Sequence, residues 1–397
     1  MIGSKLADRT RFVFPPYSYQ YDRTHWEDIE IGSDAIRLDE DGWPAEYHLP
    51  DHIVKAARDC VENGSKYVHT GSLELREAIA DKLERDNGVS VDPKDQLLLT
   101  NGASEAMFLS VWSLINEDDE VIFADPGYVC GWAPNVLMSG GRMAYVPAKQ
   151  ERNFRVDPQD VERSITNKTK LIAISTPDQP TGAVPDEHDL QAISELAIEH
   201  NLVVVYDESF ENIMYCSYPG SIGAIAGMED RTITINGFAK SYNMPGYRIG
   251  YITGPRDFID KAARIQSHTT VCAGDVGQAA ALAALTGPRD WVKESVQRFK
   301  ARRDLLVDGL NRISGVRCSK PDGFFSAFPN IATFGMSSHD LVRYLLKEAH
   351  VKVGYGRGLW GNGSEGYASV NFSSVSDAQI TEGLSRIHDA LEQLQAS

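Results

Sequence analysis

Several things are scarce in this chain. Five cysteines (Cys60, Cys130, Cys216, Cys272 and Cys318) are odd in number and far apart, and none forms a CxxC pair. Neither a disulfide framework nor a zinc site is expected from them. Positive charge is in deficit, with 39 Lys and Arg against 56 Asp and Glu and a net charge of −17. That excess argues against nucleic acid or an anionic membrane as a partner. Apolar runs are short, so no membrane-spanning helix is expected. The opening "MIGSKLADRTRFVFPPYSYQYD" also has no apolar core of signal-peptide length. Repeats and low-complexity stretches are missing too. A cytoplasmic globular protein without a metal is expected.

What is present is length and core. The chain has 397 residues, 42% of them hydrophobic, enough for a large domain with a smaller one attached. Short β-branched runs at 96–100, 120–125, 142–148, 170–176, 202–208, 232–236 and 247–253 read as strands buried on both faces. Helical spacing appears between them, as in "DEHDLQAISELAIEHN" (186–201). The alternation predicts an α/β fold: a large domain with a mostly parallel seven-stranded sheet, over residues 51–285. A smaller α+β domain would take residues 1–50 and 286–397, the latter as a long helix, "GFFSAFPNI", two more helices and a final strand and helix.

Chemistry in such sheets gathers at the carboxyl ends of strands. "LLLTNGASEA" reads as strand, tight turn and helix start, with the amides of Gly102, Ala103 and Ser104 placed for a phosphate. "VVVYDES" puts Asp207 at the end of a very apolar strand, where a carboxylate needs a cation or a capping role. "GFAKSYNMPGYRIGY" sets Lys240 among small and apolar residues, with Arg248 eight positions on. Such a lysine can form a Schiff base with an aldehyde, and an arginine can grip a phosphate with two donors. A phosphate cradle, an acid for a cationic ring nitrogen and an imine-forming lysine together describe a pyridoxal 5'-phosphate site.

From about residue 30 onward the sequence resembles the class I/II aminotransferases of pyridoxal-phosphate fold type I. The marks are "YVHTGSLELREAIA", "TNGASEA", "DPGY", "STPDQPTG", "YDES" and "GFAKSYNMPGYRIGY". The resemblance implies that Lys240 bonds the cofactor, Asp207 pairs with its ring nitrogen and Arg248 binds its phosphate. It further implies that Tyr128 stacks on the ring and that Tyr67 reaches the phosphate in a partner subunit, hence a homodimer with shared active sites.

Four positions depart from that pattern. Phe210 stands where the family has a tyrosine, and Gln179 where it has an asparagine; both usual residues bond the cofactor's phenolic oxygen. Gly237 replaces a phosphate-binding Ser or Thr. Ser369, in "EGYASVNFS", replaces the arginine that clamps the substrate's α-carboxylate. Either Arg357 of "GYGRGLWG" takes over that task or the substrate presents a different group. Gly42 completes the candidate substrate contacts.

Three rivals are weaker. "GRGLWG" matches GxGxxG literally, but "NGSEGYASVNF" follows it where a dinucleotide fingerprint needs a helix. His48 and His52 are four apart, yet Pro50 separates them. A non-catalytic binding protein would have no need of Lys240, Asp207 and Arg248 together. The expected function is therefore transformation of an amino acid or amine at Cα with pyridoxal phosphate, transamination first. The alternative is elimination, replacement, cyclisation or oxidation.

Overall fold

The computed structural model describes residues 32–40, 42–44, 46–64, 66–356 and 359–396. Its strands are β1 (Ile36–Leu38), β2 (Leu97–Thr100), β3 (Glu120–Asp125), β4 (Arg142–Pro147), β5 (Thr169–Ser175) and β6 (Val203–Asp207). They continue with β7 (Thr232–Gly237), β8 (Gly250–Thr253), β9 (Ser326–Ala327), β10 (Val351–Tyr355) and β11 (Ala368–Asn371).

Seven strands form the large sheet in the order β2-β8-β7-β6-β5-β3-β4. Every pairing is parallel except those of β8, which runs antiparallel to both β2 and β7. Alternate residues of each strand feed opposite cores, as a sheet covered on both faces requires. Val121, Phe123, Leu171, Ala173 and Val205 pack with helices Ala103–Leu114 and Val129–Met138 on one face. Ile122, Ile172, Val204 and Tyr206 pack with helix Glu187–Glu199 on the other. Asp186 caps that helix, its carboxylate accepting from the Asp189 amide at 2.8 Å.

The four-stranded sheet runs β1-β10-β11-β9, so it takes one strand from before residue 50 and three from the far end of the chain. Helices Asp290–Leu310, Ser338–Ala349 and Asp377–Ala396 cover it. After "GFFSAFPNI" there is thus one helix and then two strands, not the two helices and single strand expected. "VKVGY" alternates buried and half-buried residues over five positions, a strand too short for its period to stand out in sequence. Among the described residues, no helix is long and apolar enough to cross a membrane.

One strand begins later than its sequence suggested. β8 was expected from 247 but starts at Gly250, because Pro245–Tyr247 form a 3-10 turn and Arg248 sits at φ +49°. A left-handed residue cannot join a ladder. The twist turns the arginine out of the sheet toward the turn after β2.

Candidate active site

The parallel pairing brings the ends of β5, β6 and β7 to one edge of the large sheet, with Ser175 opposite Asp207 in register. A cavity of about 220 Å³ opens there, lined by Ala103, Ser104, Tyr128, Gln179, Asp207, Lys240 and Arg248. Seven of the residues expected for the cofactor thus meet in one place. Ser175, Ser209, Phe210 and Gly237 complete much of the wall.

Asp207 is buried, and both bonds from Ser209 end on its Oδ1: the backbone amide at 3.0 Å and the hydroxyl at 2.5 Å. Burial raises its pKa, and those two bonds pull the other way. Oδ2 takes neither of them. A carboxylate so placed suits a cationic ring nitrogen, which would offset the cost of its burial. Beneath it, Glu208 is fully buried among Tyr218, Asn87, Lys82 and Glu211. Burial, and next the neighbouring Glu211, push Glu208 up to about 7.

The phosphate end is built by backbone. Gly102 precedes the helix Ala103–Leu114 at φ +81°, which only glycine adopts without strain. A Cβ there would lie 2.5 Å from Nη2 of Arg248. The guanidinium is fixed by the carbonyls of Pro245 and Asn101, each at 3.2 Å. Cation and helix N-terminus therefore face the same volume, a combination suited to a phosphate dianion. A Cβ at Gly237 would stand 3.5 Å from the Ala103 amide, so the missing hydroxyl leaves room at this end. These residues fit pyridoxal phosphate.

The other end is aromatic. Lys240 Nζ lies 5.5 Å from the ring centre of Phe210 and 6.0 Å from that of Phe325. Phe210 meets Phe324 edge-on at 4.8 Å. Trp43 Nε1 donates to the Lys240 carbonyl at 2.6 Å, and its ring packs on Phe299 and Trp291. Trp43 and Phe325 were not foreseen; only the aromatic density of "GFFSAF" and "DGWP" could have flagged them. Ser209 was more legible, since a serine two residues after an aspartate is a common local partner.

Of the substrate candidates, Gly42 and Ser369 do not line this cavity. Gly42 lies next to Trp43, its carbonyl accepting from Ser373 Oγ. Ser369 is in β11 opposite Gly354. Arg357 falls outside the described residues. Tyr67 is 79% exposed and lines a separate groove of about 810 Å³ with Tyr247, Cys272 and Asp275. Of the rivals, "GRGLWG" follows β10 and leads through a 3-10 turn into β11; among the described residues no α-helix follows it before β11. His48 precedes the helix Asp51–Glu62 that carries His52, so no single helix face holds both.

Comparison with known proteins agrees with this geometry. The model of the family "Aminotransferase class I and II" matches residues 41–387. The aromatic-amino-acid aminotransferase 2 of Thermococcus litoralis is 33% identical over 353 residues, covering 88% of this chain and 90% of that one. An aspartate aminotransferase of Bacillus subtilis is 32% identical over 98% of this chain and 99% of its own. The crystal structure of the Pyrococcus horikoshii aromatic aminotransferase superposes with a TM-score of 0.88 at 32% identity, over 94% of this chain and all of that one. A family match along nearly the whole length, over a cavity holding Lys240, Asp207 and Arg248, leaves one assignment: the chain is a fold type I enzyme of the class I and II aminotransferases.

Proposed function

We propose that this chain binds pyridoxal 5'-phosphate in the Lys240 cavity and moves amino groups between an amino acid and a 2-oxo acid. The observation that carries the reading is the convergence of Lys240, Asp207 and Arg248 on a single cavity. Bound there, the cofactor supplies an aldehyde for amine exchange and an electron sink for the carbanion at the substrate's Cα.

The chain's own residues do the rest. Arg248 and the amides at the start of helix Ala103–Leu114 hold the phosphate. The carboxylate of Asp207, steadied by Ser209, holds the proton on the ring nitrogen. Tyr128 covers one face of the ring, and Gln179 offers its amide to the phenolic oxygen. Lys240 Nζ moves the proton at Cα, screened from bulk water by Phe210 and Phe325. Arg357 binds the substrate's α-carboxylate in place of the arginine missing at Ser369. Two copies act together, with the exposed Tyr67 of each serving the other's phosphate.

The names of the relatives do not favour the non-transaminating alternative. The test is incubation of the purified holoenzyme with a panel of amino acids, with and without a 2-oxo acid, followed by product masses. Keto-acid formation coupled to amination of the added oxo acid is expected. Loss of a β or γ substituent with no amino transfer would overturn the proposal.

A further inference from the structure

In the glycine-rich stretch after β10, two glycines, Gly361 and Gly363, lie against one carboxylate. The second half of the stretch lies on the turn between β3 and helix Val129–Met138, the turn that carries Tyr128. The Asp125 carboxylate accepts from two loop amides, Gly363 to Oδ1 at 2.7 Å and Asn362 to Oδ2 at 3.2 Å. In return, the amides of Gly127 and Cys130 donate to the carbonyls of Trp360 (3.1 Å) and Leu359 (3.0 Å). Trp360 is 3% exposed and packs among Cys130, Phe154 and Phe328.

The fit leaves no space for side chains. Gly361 has φ +96°, and a Cβ on it would lie 2.2 Å from Asp125 Oδ1. A Cβ on Gly363 would lie 2.9 Å from the Asp125 carbonyl and 3.0 Å from Oδ1. The two glycines let the backbone close around one carboxylate, as glycine-rich loops close around a phosphate. Charge-assisted bonds to both oxygens make this contact stronger than ordinary loop packing. It also joins the two sheets: Asp125 ends a strand of the large one, and the loop connects two strands of the small one.

We infer that Asp125 is a positioning residue: its carboxylate clasps the Leu359–Ser364 loop onto the Tyr128 turn, fixing Tyr128 in the wall of the Lys240 cavity. On its other side the loop holds itself, the Trp360 amide donating to the Gly356 carbonyl at 3.4 Å. The clasp stands on its own geometry; its kinetic consequence rests on the proposed function.

Asp125→Asn and Gly363→Ala attack the contact from opposite sides. Asparagine keeps the shape, but its NH₂ confronts a main-chain N–H and one bond is lost. Both variants, as full-length holoenzymes, are read by hydrogen–deuterium exchange and by steady-state kinetics. The expected result is about tenfold faster exchange in peptides spanning 359–366, with the β7 peptide unchanged. KM for the amino acid should rise about tenfold while kcat changes less than threefold. Unchanged exchange in Asp125→Asn overturns the clasp. Faster exchange with an unchanged KM overturns its positioning role. An enzyme that transfers no amino group at all defeats the proposed function, and the exchange experiment still decides the clasp.

Discussion

The two ends of the Lys240 cavity are built on different terms. At one end, charge comes from the edge of the large sheet: Asp207 ends β6, Lys240 follows β7 and Arg248 precedes β8. Asp207 sits on a strand, Lys240 on the short helix Phe238–Ser241 and Arg248 just past the Pro245–Tyr247 turn, in the order the family resemblance implies. At the other end stand Phe210, Phe325 and Trp43. Under the proposed function, the first end would hold a fixed partner with a dianion and a cationic ring, and the second would face whatever substrate the enzyme takes. Chemistry would then belong to the first and specificity to the second.

The hardest blow to this division falls on the charged end. Lys240→Ala should lower amino transfer by roughly a thousandfold or more, since the proton at Cα loses its carrier. Turnover near the parent rate, measured with any accepted amino acid, would mean the ends had been assigned wrongly. Asp207→Asn should cost on the order of a hundredfold in kcat by removing the fixed charge that holds the ring proton.

On substrate binding the effect should be smaller and confined to KM. Arg357→Ala is expected to raise KM for an amino acid by roughly a hundredfold, with an unchanged melting temperature. An unaltered KM would show that the substrate offers some other group there. Phe210→Tyr sharpens the boundary between the ends, because it returns a hydroxyl toward the cofactor's phenolic oxygen. The pH midpoint of the lysine-bound cofactor's absorbance should fall by about one unit. A midpoint that stays put would show that Phe210 belongs wholly to the substrate side.

The mildest effect concerns the floor below Asp207. Burial holds Glu208 at about 7 rather than its ordinary 4.5, so the native state keeps that proton longer than the unfolded chain does. The stability from this proton is present at low pH and is lost as pH rises through that window. Glu208→Gln removes the titration. Its urea midpoint, relative to the parent's, should therefore climb between pH 4.5 and 7; a constant difference would count against the buried acid.

Much of the charged end was legible in the sequence because its signals are local. An apolar run ending in an aspartate, or a lysine in a run of small residues, carries its meaning within a few positions. The sheet was legible for the same reason, each of its strands being announced by β-branched residues. What stayed hidden depends on distant encounters. Trp43 reaches the Lys240 carbonyl across 197 residues, and Phe325 joins Phe210 only once the small sheet lies beside the large one. The start of β8 was hidden by a single left-handed residue, since "YRIGYIT" alternates well enough to pass as a strand throughout. The GxGxxG match was rightly set aside in the sequence, but the use of its last glycine was not legible there: Gly361, with Gly363 beyond the motif, lies against the chain's own Asp125.

The parallel pairing of Ile36 with Val351 sets an order of assembly on the ribosome. Among the described strands, β1 leaves the exit tunnel first, and β10, its one neighbour in the sheet, leaves next to last. Every strand of the large sheet has been delivered once Thr253 emerges. The nascent chain can therefore raise the charged wall around Lys240 while its own beginning still waits, and domains generally do form as units during synthesis. A chain stalled between Thr253 and Phe325 would display the lysine beside Phe210 but without Phe325. The reactive amine is thus made early, and part of its shelter is made late.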